Sequence, residues 1–411
     1  EIFIVFARIE NDKNITAFIL EFDKNNPNGV ALGEEENKLG IASSSTRQVF
    51  FTDTIISVEN MLAGRGDGFK IALNSLNVGR IKLGAACADA SRRIITESVK
   101  YGNERQQFKT VISNFGAIQK KYAEMSAKTF ALDAGSYRAA KDIQNMIDSL
   151  LETGKSHQEA ELTAFSEYAI ECAIIKVFGS EVSQFVSDEG IQIFGGMGFS
   201  KDTPMESAWR DARITRIYEG TNEINRLLTV GMLLKKAMKG DIDLITPATE
   251  IGNSLMGIPS FDTPDFSEIL SEEKAMIAKL KKAFLMISGK SAQKFGMDLE
   301  NHQQLVLAAA EVMIEVYMAE SAILKADKFV KSTSEKEAEI QIALAQLNLY
   351  NAIDKINNFG KEAILYIAEG DEQRMMLMGL KRFTRYVNNP NPIALRKVIA
   401  EKVIAENKYC F

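Results

Sequence analysis

The chain has 411 residues, 46% of them hydrophobic and 25% charged, with a formal net charge of −6 and a pI near 5.4. That length suits two or three domains with a sizeable core, and the acidic balance argues against a general nucleic-acid binder, which needs a basic face. Three scattered cysteines (Cys87, Cys172, Cys410) and two histidines (His157, His302) leave little material for a disulfide framework, a metal site or a His-based triad.

Residues 1–62 read as strands. Ile2 to Ala7 and Thr16 to Phe22 are short apolar runs rich in β-formers, the second closed by the turn-like Asn25-Asn26-Pro27-Asn28-Gly29. Gln48 to Phe51 and Ile55 to Val58 give two more strands. The chain opens on Glu1 and runs straight into Ile-Phe-Ile-Val-Phe, so an N-terminally truncated sequence is expected. Gly64-Arg65-Gly66-Asp67-Gly68 lacks the GxGxxG spacing and reads as a turn into the next helix.

From Phe69 to about Lys239 the pattern is helical, and no proline falls between Asn28 and Thr203. Gly84-Ala85-Ala86-Cys87-Ala88 offers a small-residue face for close helix approach. Tyr122 to Asp148 and Leu162 to Phe178 carry spaced apolar residues, and these helices read as an antiparallel bundle. Pro247, Pro259 and Pro264, with Gly252, Ser254 and Gly257, mark residues 240–266 as a linker. Helices resume from about Ser267 to Tyr386, break at Asn388-Asn389-Pro390-Asn391-Pro392, and end in an amphipathic piece carrying Leu395, Val398, Ile399 and Val403. No run of 18 uncharged apolar residues occurs, so a soluble, cytoplasmic protein is expected. The basic stretch from Arg374 to Lys402, with Lys381, Arg382, Arg385, Arg396 and Lys397, could touch anionic lipid, although packing of an amphipathic helix on its own protein is the commoner fate.

The stretch Arg210 to Arg226 concentrates the chemistry. Gly220 permits a sharp turn, and Thr221 is a good N-cap for the helix that follows. Glu219 therefore sits just before a helix N-terminus, beside free N–H groups and the positive dipole end. A carboxylate there could act as a base on a carbon acid while nearby N–H groups hold a developing oxyanion. From spacing alone, a helix–helix corner with a capping carboxylate is the plainer reading.

Ile217-Tyr218-Glu219-Gly220-Thr221-Asn222-Glu223-Ile224 resembles the signature of the acyl-CoA dehydrogenases, and the long chain after it resembles the very-long-chain branch with its additional helical domain. The resemblance implies a mainly α fold with a small β part: the remnant of a middle β-domain over 1–66, a helical bundle carrying flavin and catalysis over 67–240, and a second helical domain over 241–411. It implies α,β-dehydrogenation of long-chain acyl-CoA thioesters in fatty-acid β-oxidation, with FAD as cofactor and Glu219 as base. An apolar surround would raise the pKa of that base toward working pH.

Further motifs carry the same resemblance. In a related branch the base stands just before the arginine of the Asn77-Val78-Gly79-Arg80 segment; Gly79 cannot fill that role, which favours Glu219. Asn77 and Arg80 match positions that contact the CoA substrate, and Gly220 lies beside the thioester. Tyr101-Gly102-Asn103-Glu104-Arg105-Gln106-Gln107-Phe108 resembles the flavin segment, where Arg105 would pair with the FAD diphosphate of a neighbouring subunit, implying a homodimer or higher homo-oligomer. The usual glycine after the phenylalanine is Lys109 here. Gln192, Gly195 and Gly196 of Ile191-Gln192-Ile193-Phe194-Gly195-Gly196-Met197-Gly198-Phe199 would let backbone approach the dinucleotide, with Thr221, Asn222 and Glu223 along the flavin side of the hinge. Phe115 and Gly116 fall at further flavin positions. The only tryptophan, Trp209, reads as a packing residue.

An electron-transfer flavoprotein is the acceptor that the resemblance implies. Taken alone, the present chain is expected to bind FAD poorly and to turn over little. Two other readings share the fold: an assembly protein using the C-terminal helices as its interaction surface, and a flavin oxidase. The intact Glu219 and Arg105 favour an enzyme.

Overall fold

The computed structural model describes residues 1–255 and 266–411. Its β part is small. Strands β1 (Ile2–Ala7), β2 (Thr16–Glu21) and β5 (Met61–Leu62) form an antiparallel sheet in the order β1-β2-β5, while β3 (Val30–Leu32) and β4 (Val49–Phe51) make a separate hairpin. The expected strand over Ile55–Val58 is absent. There the Asn28 amide brackets Ile55, donating to its carbonyl at 2.7 Å and accepting from its N–H at 3.3 Å. The side chain takes the place of a strand partner, and Ile55 and Val58 stand exposed. Val30–Leu32, which sequence reasoning passed over, is paired instead.

The proline-free stretch folds as expected into long helices: α1 (Gly68–Glu104) and α2 (Gly116–Glu152), of 37 residues each, the shorter α3 (His157–Glu167), then α4 (Ala169–Phe194). Between α1 and α2 a two-residue turn joins β6 (Gln106–Gln107) to β7 (Thr110–Val111). Antiparallel packing of α2 on α1 is fixed by the Arg92–Asp133 ion pair and by the Tyr122 hydroxyl, which donates to the Ser98 carbonyl at 2.9 Å. The bundle is up-down-up, so α4 runs parallel to α1 beside the small-residue face. At that contact Gly179 faces Gly84, and a Cβ on Gly84 would come within 2.2 Å of the Ile175 side chain. Tyr122, Met125, Phe130, Leu132 and Ile175 are fully buried between the three helices.

Two more helices, α5 (Pro204–Ile214) and α6 (Asn222–Lys239), close this layer. The expected linker over 240–266 is helical in its first part. Helix α7 (Ile245–Ser254) accepts Pro247 in its first turn, where the missing N–H costs nothing, and Asp243 caps the Thr246 N–H at 3.0 Å. Gly257, Pro259 and Pro264 lie outside the described residues. Then come α8 (Ser271–Phe295), α9 (Gln303–Ser332), α10 (Glu339–Ile367), α11 (Gly370–Phe383) and α12 (Pro392–Glu406), the last opened by Asn391, whose side chain accepts from Ile393 and Ala394 N–H. One buried apolar cluster runs from Ile95 and Phe130 through Leu280 and Leu344 to Val403.

Helix α12 lies on α2, with Arg396 paired to Glu124 at 2.6 Å, so this part of the basic stretch is turned inward. No helix among the described residues is long and apolar enough to cross a membrane. His157 is exposed, but His302 is wedged between Phe295 and Tyr366, 3.8 Å from the former ring and hydrogen-bonded to the latter's hydroxyl at 2.8 Å.

The α1–α4 contact predicts the effect of a single methyl. Gly84→Ala gains about 1 kcal/mol of helix propensity but overpacks the contact at a cost of about 1–3 kcal/mol. Calorimetry should therefore show a lower Tm; a higher one would contradict the close approach.

Candidate functional site

The corner between α5 and α6 is built as the sequence suggests. Glu219 (φ +59°) and Gly220 (φ +82°) reverse the chain in the left-handed region, and the Thr221 hydroxyl accepts from the Ile224 N–H at 3.3 Å. For glycine that conformation is free; for a glutamate it costs roughly 1–2 kcal/mol. Strain of this kind persists only where the surroundings over-determine the backbone.

They do so from behind, through the carbonyls. The Arg80 Nε donates to the Glu219 oxygen at 3.1 Å. The Asn225 amide donates to the Gly220 oxygen at 2.7 Å, to that of Thr221 at 3.1 Å and to that of Glu219 at 3.3 Å. The Lys176 ammonium donates to the Gly220 oxygen and to the Asn222 side-chain oxygen, both at 2.7 Å. Lys176 and Asn225 are wholly buried and Arg80 nearly so. Among the described residues the N–H groups of Glu219 and Gly220 find no acceptor, so the corner turns its acceptors inward and leaves its donors free.

The Glu219 carboxylate lies over the backbone of α1. A Cβ on Gly79 would stand 2.6–2.8 Å from its oxygens, so this glycine leaves free the place that the carboxylate takes, and a side chain there would displace it. Among the described residues the buried oxygen Oε2 has no hydrogen-bond partner, an exception to the pairing usual for buried polar atoms. Ile217 and Tyr218 beside it remain partly exposed. From Tyr218 a groove of about 360 Å³ follows α1 and α5, lined mainly by Leu83, Ala86, Ala90, Met205 and Ala208.

Burial shapes the titration of the supporting groups. It pushes the Cys172 thiol up to about 12 and the Cys87 thiol to about 11, so neither is a nucleophile at neutral pH. It lowers Arg80, with the Glu219 charge opposing, and brings Lys176 down to about 8, with Arg80 adding to the shift.

The motif residues fall into two groups. Asn77, Arg80, Gly220, Thr221, Asn222 and Glu223 gather around Glu219. Asn77 and Arg80 are occupied within the chain: Arg80 donates to the Asn77 side-chain oxygen at 3.1 Å, and Asn77 to the Phe165 carbonyl at 3.1 Å. Asn222 is buried, its amide donating to Ser180 at 3.0 Å and Glu181 at 3.1 Å. Glu223 is exposed, its carboxyl held below the usual range by a backbone N–H and the Thr221 hydroxyl.

Arg105, Gln192, Gly195 and Gly196 sit together at the far end of the bundle. Stacking of Tyr101 on Phe194, ring centroids 4.0 Å apart, joins the ends of α1 and α4 there. Arg105 and Gln192 are exposed, and a Cβ at Gly195 or Gly196 would meet nothing within 4 Å. Phe108 (φ +51°) and Lys109 (φ +70°) form the β6–β7 turn, so the lysine adopts the glycine-like conformation that the motif needs. Phe115 caps α2 and meets the Phe108 ring edge-on at 6.2 Å. Along α1, Gly79 and Arg105 are ~39 Å apart at 1.5 Å per residue.

Trp209 does not line the groove that starts at Tyr218. Its indole donates to Asp188 at 3.1 Å at the rim of a second cleft of about 1040 Å³, between α4, α6 and α9. Among the described residues no cluster of His, Cys, Asp and Glu could hold a metal ion. Sequence reasoning missed Lys176, Asn225 and Glu181. The one available signal was a lone lysine inside the apolar run Ala173-Ile174-Ile175-Lys176-Val177-Phe178.

A family model described as "Acyl-CoA dehydrogenase, C-terminal domain" matches residues 66–233, and a second with the same description matches residues 279–382. A probable acyl-CoA dehydrogenase of Bacillus subtilis is 36% identical over 409 residues, which span 100% of this chain and 68% of that protein. The rat mitochondrial very long-chain specific acyl-CoA dehydrogenase is 37% identical over 263 residues, 62% of this chain and 36% of that one. A Bacillus anthracis acyl-CoA dehydrogenase solved in complex with FAD superposes with a TM-score of 0.92 at 37% identity, over 100% of this chain and 68% of that one. An acyl-CoA oxidase of Yarrowia lipolytica, at 17% identity and a TM-score of 0.71 over 99% of this chain and 65% of that one, shares the fold.

Lys176 makes stability depend on pH. Its folded pKa lies below the ordinary 10.5, so the unfolded chain binds more protons between about pH 8 and 10.5. Relative to Lys176→Met, the wild type should gain stability as the pH rises through that window. Denaturant titrations across it check this; a flat difference would contradict the burial of a charged ammonium.

Proposed function

This chain belongs to the acyl-CoA dehydrogenase family, and we propose that it catalyses the α,β-dehydrogenation of long-chain acyl-CoA thioesters with Glu219 as the base. The single observation that carries the reading is the corner itself. Among the described residues, a buried carboxylate oxygen without a partner stands at a left-handed turn whose carbonyls are engaged and whose Glu219 and Gly220 N–H groups are free. The carboxylate can take the α proton, and the Glu219 N–H can hold the thioester oxygen as charge gathers on it. Lys176, Arg80 and Asn225 keep both groups on one face of the turn.

The residues present fit FAD. Gly195 and Gly196 face open space where a ligand can come close to bare backbone, and the exposed Arg105 offers a guanidinium fork suited to a diphosphate. When bound, FAD supplies the acceptor for the hydride that leaves the β carbon. Arg105, Gln192, Gly195 and Gly196 would hold it from one copy, with Thr221 and Glu223 along its flavin side from another. The ~39 Å between the two groups along α1 supports division of the site between copies, hence a homodimer or higher homo-oligomer. Asn222 supports the hinge from within, and Asn77 and Arg80 act through the corner and reach CoA only by way of it.

The apolar groove beyond Tyr218 would take the start of the acyl chain. Likeness to the rat very long-chain enzyme supports a long-chain substrate. An electron-transfer flavoprotein then removes the electrons, and the division into residues 1–66, 67–240 and 241–411 follows the same reading.

Glu219→Gln keeps the shape of the side chain and removes the base. Assayed in the FAD-loaded protein, by dye reduction with a long-chain acyl-CoA, it should lower kcat by on the order of 10²- to 10⁴-fold with the flavin spectrum retained. Undiminished turnover would remove the assignment.

A further inference from the structure

A buried guanidinium links the catalytic corner to the C-terminal helices. Arg226, on α6, donates from one Nη2 to Glu181 of α4 at 2.7 Å and to Glu311 of α9 at 2.5 Å. Its side chain is only 9% exposed and that of Glu311 14%, while Glu181 stands 32% exposed, and all three lie along the cleft between α4, α6 and α9. A buried cation depends strongly on full compensation, because removing one partner leaves charge that the interior does not solvate.

Glu181 does not stop at the arginine. The oxygen that accepts from Arg226 also accepts from the Asn222 amide at 3.1 Å. The other end of that amide, its oxygen, accepts from Lys176 at 2.7 Å. The same ammonium holds the Gly220 carbonyl at 2.7 Å, one residue beyond Glu219. An unbroken file of charge-assisted hydrogen bonds thus runs from α9 to the turn; its two carboxylates border the cleft, and Arg226, Asn222 and Lys176 are nearly or wholly buried.

From this file we infer that Glu311, supplied by the C-terminal helices, is a positioning residue for the Glu219 corner, acting through Arg226, Glu181, Asn222 and Lys176. The inference rests on Glu219 being the base. Glu311 and Glu181 share one cation. Without the charge of Glu311, Arg226 draws on Glu181 alone, and the Glu181 oxygen moves off Asn222. Asn222 then loosens its grip on Lys176, and the Gly220 carbonyl loses a fixed donor. The left-handed Glu219 is strained, so it is the first element to use that slack. The second helical layer would thereby contribute to catalysis without touching substrate.

A plain clamp between the two layers is the competing account, and the interface holds a control for it. Arg138 of α2 pairs with Glu320 of α9 at 3.1 Å, and Glu320 also pairs with Lys281 of α8. This network joins the same layers with no member at the corner.

Hydrogen exchange read by mass spectrometry on the full chain separates the two. Glu311→Gln should speed exchange in the peptide spanning residues 216–224 by roughly two- to thirtyfold, the span of such couplings. Glu320→Gln should leave that peptide at the wild-type rate. Lys176→Met should speed it at least as much, and adding Glu311→Gln should add nothing further. In the FAD-loaded enzyme, Glu311→Gln should lower kcat with KM unmoved. Glu311→Asp, which withdraws the charge by one methylene, carries the same expectation at smaller size should the Gln variant not fold. Unchanged exchange at the corner, equal acceleration by Glu320→Gln, or an effect that adds to that of Lys176→Met would overturn the inference. A coupled corner in a protein whose Glu219→Gln variant keeps full turnover would instead leave the relay standing and remove the base.

Discussion

The structure turns on three buried donors that grip the carbonyls of one left-handed corner. Arg80, Lys176 and Asn225 come from α1, α4 and α6 and converge on the oxygens of Glu219, Gly220 and Thr221. A glutamate at φ +59° is not a conformation that local sequence prefers. It exists because satisfied donors on one side fix which way every peptide plane faces. The free N–H groups and the unpartnered carboxylate on the other side follow from that same constraint.

Much of the fold serves the convergence. Lys176 reaches the corner because α4 runs tightly against α1, and it can do so because Gly84 and Gly179 present no side chains at the crossing. Gly79, about one and a half turns earlier in the same helix, leaves room for the carboxylate. Burying an ammonium and two guanidiniums near one another is costly, and the lowered pKa of Lys176 registers that cost. Arg226 is tolerated because carboxylates from two different helices meet it. The long C-terminal helices are thus tied electrostatically, as well as through apolar packing, to the layer that carries the turn.

Sequence patterns showed the parts that depend on neighbours along the chain. The absence of proline between Asn28 and Thr203 announced α1 to α4, Thr221 announced the start of α6, and the small-residue run at Gly84 announced a close crossing. Pro247 misled because a proline in a first helical turn looks the same in sequence as a breaker. Ile55–Val58 misled because a side-chain amide supplied the hydrogen bonds expected of a strand partner. The motif around Glu219 was legible, but its grip was not. Asn225 lies close by, yet Lys176 and Glu181 come from a helix some forty residues upstream, and no periodicity reveals which buried lysine points at which carbonyl. Lys109 at φ +70° shows the converse: the motif's glycine is missing while its backbone shape is kept.

As a base, Glu219 must stand over the carbon that gives up its proton, and a structure with ligand bound shows whether it does. In a complex of the protein with FAD and a non-reactive acyl-CoA thioether, a Glu219 carboxylate oxygen should lie about 3–3.5 Å from the carbon that stands for the substrate's α carbon, with the Glu219 N–H directed at the neighbouring oxygen position. A carboxylate turned away from that carbon, or another side chain occupying the place, would contradict the account.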